Sequence, residues 1–510
     1  MKKILLLSNG HAEDLVAEQI AHQLASSCET IRIPLVDTTL PSGGFSLRNF
    51  NFLWHDIGAG LIGSTIKHWK TLKELRGKVD LTVAIGDIVP IIGALLVGAP
   101  FIFVGVNKSS YYKTFGYNYT PWEKFLLKKY ALKTFVRDRE TLKSLPFAEY
   151  VGNPLLGEMS NDQCSRCAGS NEGKTIVGLL PGTRNDALLN MEDFERVITE
   201  LVNQRDESDP KLDFITATTL TNLPEYIENK QFEQVLAESN LIIGLSGTGN
   251  EQAAGCGIPV VSFPGRGSQY NRKFAKAQKE LLGNALMLVD SNDHATIAAK
   301  VWQLLKNNQL RKQMEKTGKE RMGDPGAIDK ISVFINKEQL YIKNFKNILI
   351  IRPDAIGDLV LTLPAIHAIR KHFPAAKITV LAREYTRPIL ENHPDIDKII
   401  YDYDFKKYKF DLSVNFYNEF KDTFATFRAH IPYRLGDSSR ILTSWMNNLR
   451  VFRHFENPNR HEIDFNFDLL APLGIKEKPE KPHILVDPDA LAQIKILLNK
   501  NGIIPGDLLA

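Results

Sequence analysis

The sequence predicts an α/β protein built from successive doubly wound parallel sheets, and three observations carry that prediction. Short apolar runs suited to buried strands (KILLLS, LTVAIG, FIFVGV, KTIVGLLP, LIIGLS, PVVSFP and ALMLV) alternate with helix-like segments, which is the pattern of βαβ units. The pattern restarts twice along the chain. At 510 residues the chain is also too long for a single core, and about three or four domains are expected.

The elements divide in order. Residues 1–152 form a first α/β domain that opens on KKILLLS and closes at YVGNPLL. The basic start resembles a secretion leader, but its apolar run stops at Ser8, too soon for one, so a buried first strand is expected. The longest apolar tract, Ile85–Val106, contains Asp87, Pro90 and Pro100; strand, helix and strand in a buried sheet account for it better than a membrane span. A polar stretch, Ser160–Gly173, follows the junction, and a second α/β domain, 153–330, runs from KTIVGLLPGTR to GDPGAIDK. A charged connector, 331–344, leads to a third domain, 345–480, which begins with a fresh strand–loop–helix, ILIIRPDAIGDLVLTLPAIHAIRKHF. Residues 481–510 read as the start of a further, incomplete domain.

With 43% hydrophobic and 24% charged residues and a net charge of +4, the composition is that of an ordinary globular protein and excludes a dedicated nucleic-acid binder. The four cysteines, Cys28, Cys164, Cys167 and Cys256, make neither a disulfide framework nor a zinc set, since the single C-x-x-C has no companion pair. No metal is expected, and a reducing cytoplasm is the expected compartment.

The densest chemistry lies in GLSGTGNEQAAGCGIPVVSFPGRGSQYN, residues 244–271. LIIGLS reads as a strand and EQAAGCG as the helix after it, so Gly244–Gly249 is the strand-to-helix turn. Such a turn offers free amides and a helix N-terminus to a phosphate. Ser246 and Thr248 can donate hydroxyl hydrogen bonds. Glu251 could accept from ribose hydroxyls, or simply complement the helix dipole. The turn is neither a Walker loop nor a dinucleotide fingerprint.

Residues 1–330 resemble the lipid-A-disaccharide synthase family, and more closely a related branch of it. LSNGHAEDLVA, YVGNPLL, LLPGTR and GLSGTGNEQAAGCGIPVV carry the resemblance. It implies two facing Rossmann-like domains of the GT-B type and a UDP-sugar donor held by Thr183, Arg184, Ser246, Gly247, Thr248, Gly249, Asn250 and Glu251, with Gln269, Tyr270 and Asn271 lining the same cleft. Arg184 can neutralise a leaving diphosphate, so neither metal nor other cofactor is expected. An inverting transfer needs a base for the acceptor hydroxyl. Asp87 is the first candidate, with Glu13, Asp14 and His11 beside it. This chain has Gly10-His11-Ala12-Glu13-Asp14 where the synthases carry Gly-Glu-x-Ser-Gly-Asp.

The third domain resembles the start of the ADP-heptose:lipopolysaccharide heptosyltransferases, through ILIIR, the Ile356-Gly357-Asp358 turn, Leu363-Pro364, ITVLARE, KFDLSVNF and PYRLG. The resemblance implies Asp358 as a base, and it covers only the acceptor half of that family: either the chain is truncated, or a further chain supplies the missing half as a partner, or this half only binds. The function implied is transfer of an acylglucosamine-type sugar from a UDP-sugar to a lipid-linked sugar acceptor in cell-envelope glycolipid synthesis. The expected place is the inner face of the cytoplasmic membrane, with peripheral docking near Phe45–Trp54 and Tyr111–Trp122 through Phe52, Trp54, Tyr111, Tyr112 and Trp122. The alternatives are a sugar-nucleotide 2-epimerase on the same fold and a non-catalytic scaffold for lipid intermediates.

Overall fold

A computed structural model describes residues 1–35, 61–111, 118–157, 174–182, 186–267, 269–336, 345–453, 460–475, 477–486 and 488–503. The first sheet is formed by β1 (Lys2–Ser8), β2 (Cys28–Pro34), β3 (Leu81–Ile85), β4 (Phe101–Val104), β5 (Ala131–Val136) and β6 (Glu149–Tyr150). The second contains β7 (Lys174–Leu180), β8 (Lys211–Thr216), β9 (Ile227–Asn229), β10 (Leu241–Gly244), β11 (Val260–Ser262) and β12 (Leu286–Leu288). The third contains β13 (Asn347–Ile351), β14 (Lys377–Leu381), β15 (Lys398–Ile400), β16 (Leu412–Asn415), β17 (Tyr433–Asp437) and β18 (Leu449–Val451).

The strands pair in parallel in the orders β2-β1-β3-β4-β5-β6, β12-β11-β10-β7-β8-β9 and β15-β14-β13-β16-β17-β18. The second and third follow the doubly wound order in which the first strand lies at the centre and the chain then reverses direction across the sheet. Central strands such as LTVAI, FIFV and LIIG are buried at every position, because helices cover both faces of a parallel sheet. Edge strand β2 is open instead, with Cys28 its only buried residue and Glu29, Arg32 and Pro34 exposed.

The chain divides into two compact units, one of Met1–Val97 with Phe101–Lys337 and the other essentially Glu338–Ala510. The first unit holds two sheets, and the chain itself fastens them together. The helix Ala327–Asn336 returns to pack on the helix His11–Leu24 of the first sheet, where Ser27 Oγ donates to Asn336 Oδ1 at 2.7 Å. At the junction the Asn153 amide donates to Met322 O at 2.9 Å, and the Gln252 amide to Leu155 O at 2.8 Å.

The second unit is built around the third sheet alone. Its helix Pro488–Lys500 has no buried residue, and Leu491, Ile494, Ile496 and Leu497 lie open on it. No helix among the described residues is long and apolar enough to cross a membrane. Of the expected docking aromatics, Phe52, Trp54 and Tyr112 fall outside the described residues. Tyr111 is partly buried against the second sheet's core with the Arg321 guanidinium over its ring, whereas Trp122 is 71% exposed.

Candidate active site

In an open parallel sheet, the loops leaving adjacent strands diverge where strand order reverses, and a crevice opens there at the carboxyl edge. The three sheets put this point between β1 and β3, between β7 and β10, and between β13 and β16. Strand register sets the ends level: Ser8 faces Ile85, Leu180 faces Gly244, and Ile351 faces Asn415. The predicted site residues follow at these three places.

Beyond β1 and β3 stand Asn9, Glu13, Asp14 and Asp87. Glu13 is 3% exposed; its Oε1 accepts from the Asn107 amide at 2.6 Å, and Oε2 has no hydrogen-bond partner among the described residues. Two glycines make room for it. A Cβ on Gly10 would lie 2.8 Å from Glu13 Oε2, and one on Gly86 would lie 2.8 Å from its Cγ. Both also adopt positive φ, 134° and 120°, which a side chain would strain. Burial, followed by the nearby Asp87 and Asp14 charges, raises the Glu13 pKa to about 8.

Asp87 accepts from the Asn9 amide at 2.8 Å and from the Val89 amide at 3.0 Å. Burial raises its pKa too, while the Val89 amide and the Lys108 charge pull the other way. Both carboxyls are thus held above the ordinary carboxylate range side by side, a pair suited to holding and moving a proton. Asp14 accepts from Ser8 Oγ at 2.5 Å, and His11 is exposed at the start of its helix.

Lys108 forms an ion pair with Glu123, which is 1% exposed. Glu123 also closes a capping box with Thr120, ahead of a Pro at the first helical position. The T-P-W-E pattern could have revealed Glu123 from sequence; Asn107 and Asn9 carried no comparable signal.

Beyond β10 the strand-to-helix turn forms but is shorter than expected, since the strand ends at Gly244 and the helix already begins at Gly247. Ser246 caps the helix Gly247–Gly255, with Oγ accepting from Gly249 N at 3.2 Å. Gly247, Thr248 and Glu251 are partly open around its first turn. The structure corrects two expectations here. Asn250 (0% exposed) and Tyr270 (3%) lie beneath the turn rather than in the cleft. The Asn250 amide donates to Gly244 O at 3.0 Å and Gln278 Oε1 at 2.9 Å, while Tyr270 OH meets Ser262 Oγ at 2.8 Å. Gln278 in turn donates to Gly247 O at 2.7 Å. These groups form a buried polar brace that fixes the turn, and Gly244 is required because any Cβ there would collide with the Asn250 side chain.

Asn271 is also structural, capping the helix Arg272–Leu282 through Phe274 N at 3.0 Å. Gln269 is partly exposed and its backbone amide donates to Asp186 Oδ2 at 2.8 Å. Thr183 and Arg184 lie outside the described residues, as do Cys164 and Cys167. Among the described residues no cluster of acids, histidines and cysteines could hold a metal ion.

The first two crevices meet. Arg137, directly after β5, donates from Nη2 to Glu251 Oε2 at 3.0 Å. The carboxyl edges of the first and second sheets therefore face each other inside one unit. No sequence signal pointed to Arg137.

The third crevice belongs to the second unit. Arg352, 4% exposed, lies 3.2 Å from Asp354, 3.4 Å from Asp358 and 3.6 Å from Glu462. Burial raises the Asp354 pKa to about 6 against the pull of Arg352. Asp358, at 44% side-chain exposure, is the open member of the group.

These features define the class. The chain is an α/β protein of Rossmann-like domains, with paired sheets and carboxyl-edge crevices of the kind glycosyltransferases use. Known proteins then narrow it. No family model matches the chain. Over 174 residues, 31% of the chain and 50% of the relative, it is 25% identical to a protein of Haemophilus influenzae described as "Putative glycosyltransferase". Over 172 residues, 29% of the chain and 47% of the relative, it is 29% identical to lipooligosaccharide heptosyltransferase 2 of Haemophilus ducreyi. The chain thus spans about half the length of these curated relatives. Among solved structures, the calicheamicin glycosyltransferase CalG4 aligns with 66% of the chain and 99% of its own, at 15% identity and a TM-score of 0.45. Over about a third of its length the chain is similar to glycosyltransferases, lipooligosaccharide heptosyltransferase 2 among them.

Proposed function

We propose that the first unit is a metal-independent glycosyltransferase that takes a UDP-sugar donor and a lipid-linked sugar acceptor, an acylglucosamine-type sugar being the group transferred. The reading rests on one observation above others: a proton-holding carboxyl pair, Glu13 and Asp87, and a phosphate-suited helix N-terminus with Glu251 belong to facing carboxyl edges of one unit. Asp87 is the base for the acceptor hydroxyl. Glu13, mostly protonated at neutral pH, is its proton-holding partner. The first-turn amides of the helix Gly247–Gly255 take the diphosphate with Arg184, and Glu251 takes the ribose. The donor and acceptor classes come from the resemblance to lipid-A-disaccharide synthases, and envelope glycolipid synthesis is the setting that both resemblances share. The second unit is read as a heptosyltransferase-like acceptor-side domain, with Asp358 as its base.

Calorimetric titration of the full chain with UDP in the presence of a chelator tests the donor site. Binding is expected, and loss of binding in the chelator would overturn the metal-free reading. A second reading, a sugar-nucleotide 2-epimerase, is favoured by the grouping of two carboxyls with the exposed His11. It predicts turnover of the UDP-sugar with no acceptor present, whereas a transferase requires one.

A further inference from the structure

Arg137 has 1% of its side chain exposed, and a guanidinium so enclosed has to be matched by acceptors on every side. Nη1 donates to Val106 O at 3.0 Å, Nη2 donates to Glu251 Oε2 at 3.0 Å and lies 3.4 Å from Met322 Sδ, and Nε lies 3.9 Å from Asp138 Oδ2. Glu251 itself is only 12% exposed. The contact ties Oε2, and Oε1 accepts no hydrogen bond among the described residues.

The other end of the guanidinium grips the acceptor side. Val106 leads directly into Asn107, whose amide holds Glu13 Oε1 at 2.6 Å. Next comes Lys108, which pairs with Glu123 and whose charge acts on Asp87. One buried cation therefore spans the carboxylate read as the ribose contact and the segment that frames the proton-holding pair. Of the neighbouring bonds at the junction, Asn153 to Met322 O joins neutral groups, and Gln252, which follows Glu251 in the helix, donates to Leu155 O.

We infer that Arg137 is a positioning residue: it orients Glu251 for the nucleotide's ribose and keeps that carboxylate in register with Glu13 and Asp87. The inference rests on the reading of Glu251 as a donor contact. A group that merely holds the fold together would change melting temperature and leave the affinity of the folded protein alone. A positioning group changes affinity, and does so only while Glu251 is present.

The test is calorimetric titration of the full chain with UDP, run beside thermal melts, for Arg137→Met, Arg137→Lys, Glu251→Gln, the Arg137→Met/Glu251→Gln double variant and Asn153→Ala. Arg137→Met should weaken UDP binding about tenfold, as expected for loss of a charge-assisted bond. Arg137→Lys, which keeps the cation but not the fork, should recover part of that loss. Adding Arg137→Met to Glu251→Gln should cost little more, since both remove the same coupling. Asn153→Ala should lower the melting temperature with UDP affinity unchanged. Unaltered UDP affinity in both Arg137 variants, with Glu251→Gln weakened, would overturn the inference and leave the donor reading standing. Additive losses in the double variant would overturn it as well. If Arg137→Met does not fold, Arg137→Lys decides alone, and wild-type affinity in it removes the positioning role. Absence of UDP binding by the unsubstituted chain would remove both the inference and the donor reading.

Discussion

The two units carry similar carboxyl groups at the same topological position, yet they offer different chemistry. Beyond β1 and β3 the acids Glu13 and Asp87 are enclosed, supplied with amide donors, and joined through Val106 and Arg137 to a second crevice. Beyond β13 the acids Asp354 and Asp358 gather around Arg352 on a single sheet. Group transfer needs a base on one wall and charge-stabilising donors on the other, held at a fixed separation. Under the proposed function the first unit meets both requirements within itself. Among the described residues of the second, only the wall bearing Asp358 is present. A carboxylate at a switch point is therefore not enough to mark a complete active site.

The largest effect should come from breaking the first unit's base. Asp87→Asn should lower UDP release from UDP-2,3-diacylglucosamine, with a lipid-linked sugar acceptor present, by about 10²–10⁴-fold. Asp358→Asn should leave that rate unchanged, and the chain alone should show no heptosyl transfer from ADP-heptose. Full activity in Asp87→Asn would move the base to Glu13. Heptosyl transfer abolished by Asp358→Asn would show that the second unit finds its other wall after all.

The contrast was partly legible in the sequence. The alternation of apolar runs and the two restarts located all three sheets, because parallel strands covered on both faces must be almost wholly apolar. The glycine-rich turn was legible for a related reason, since close backbone approach leaves glycine few substitutes. What sequence could not supply was pairing across distance. Asn250 adjoins the turn in sequence and Tyr270 follows the next strand, and only their burial shows that they brace the turn from below. Arg137 and Glu251 are 114 residues apart, and neither position has a local pattern that names the other. Glu13 stood behind Asp87 among four candidates. Its standing comes from two glycines and an amide that reach it from other loops.

The next effect sharpens the comparison through pH. A carboxyl whose native pKa is raised from 4.5 to about 8 keeps its proton in the folded state where the unfolded chain has released it. Between those values the unfolded state binds fewer protons, so stability falls as pH rises from about 5 to 8 and levels off beyond. Thermal melts of the full chain at pH 5, 6.5 and 8 should show that fall in the first unit's transition. Glu13→Gln, which has nearly the same shape and no proton to lose, should flatten it, with a gain at pH 8 on the order of a few kcal/mol at most. An unchanged slope in Glu13→Gln would mean that the raised pKa belongs to another group.

The smallest effect concerns the surface of the first unit. Trp122 and Phe125 stand 71% and 44% exposed on the helix Pro121–Tyr130, with rings edge to face at 6.3 Å. Lys124, Lys128 and Lys129 are on the same helix, with Lys128 exposed and the others partly so. Leu127 and Tyr130 anchor the opposite face in the core, so the open aromatics are not simply an unfilled part of that core. Apolar rings flanked by cations suit the boundary of an anionic bilayer, where a ring enters the interface while the ammonium groups stay among the headgroups. Each cation near such a surface contributes about 1 kcal/mol, and the contribution fades as salt rises. The full chain should therefore float with anionic liposomes at low salt and much less at high salt. Trp122→Glu should reduce the floated fraction several-fold while leaving UDP affinity as it was. A chain that stays wholly at the bottom of the gradient at low salt would remove the membrane from its partners, and undiminished flotation of Trp122→Glu would place the docking face elsewhere on the molecule.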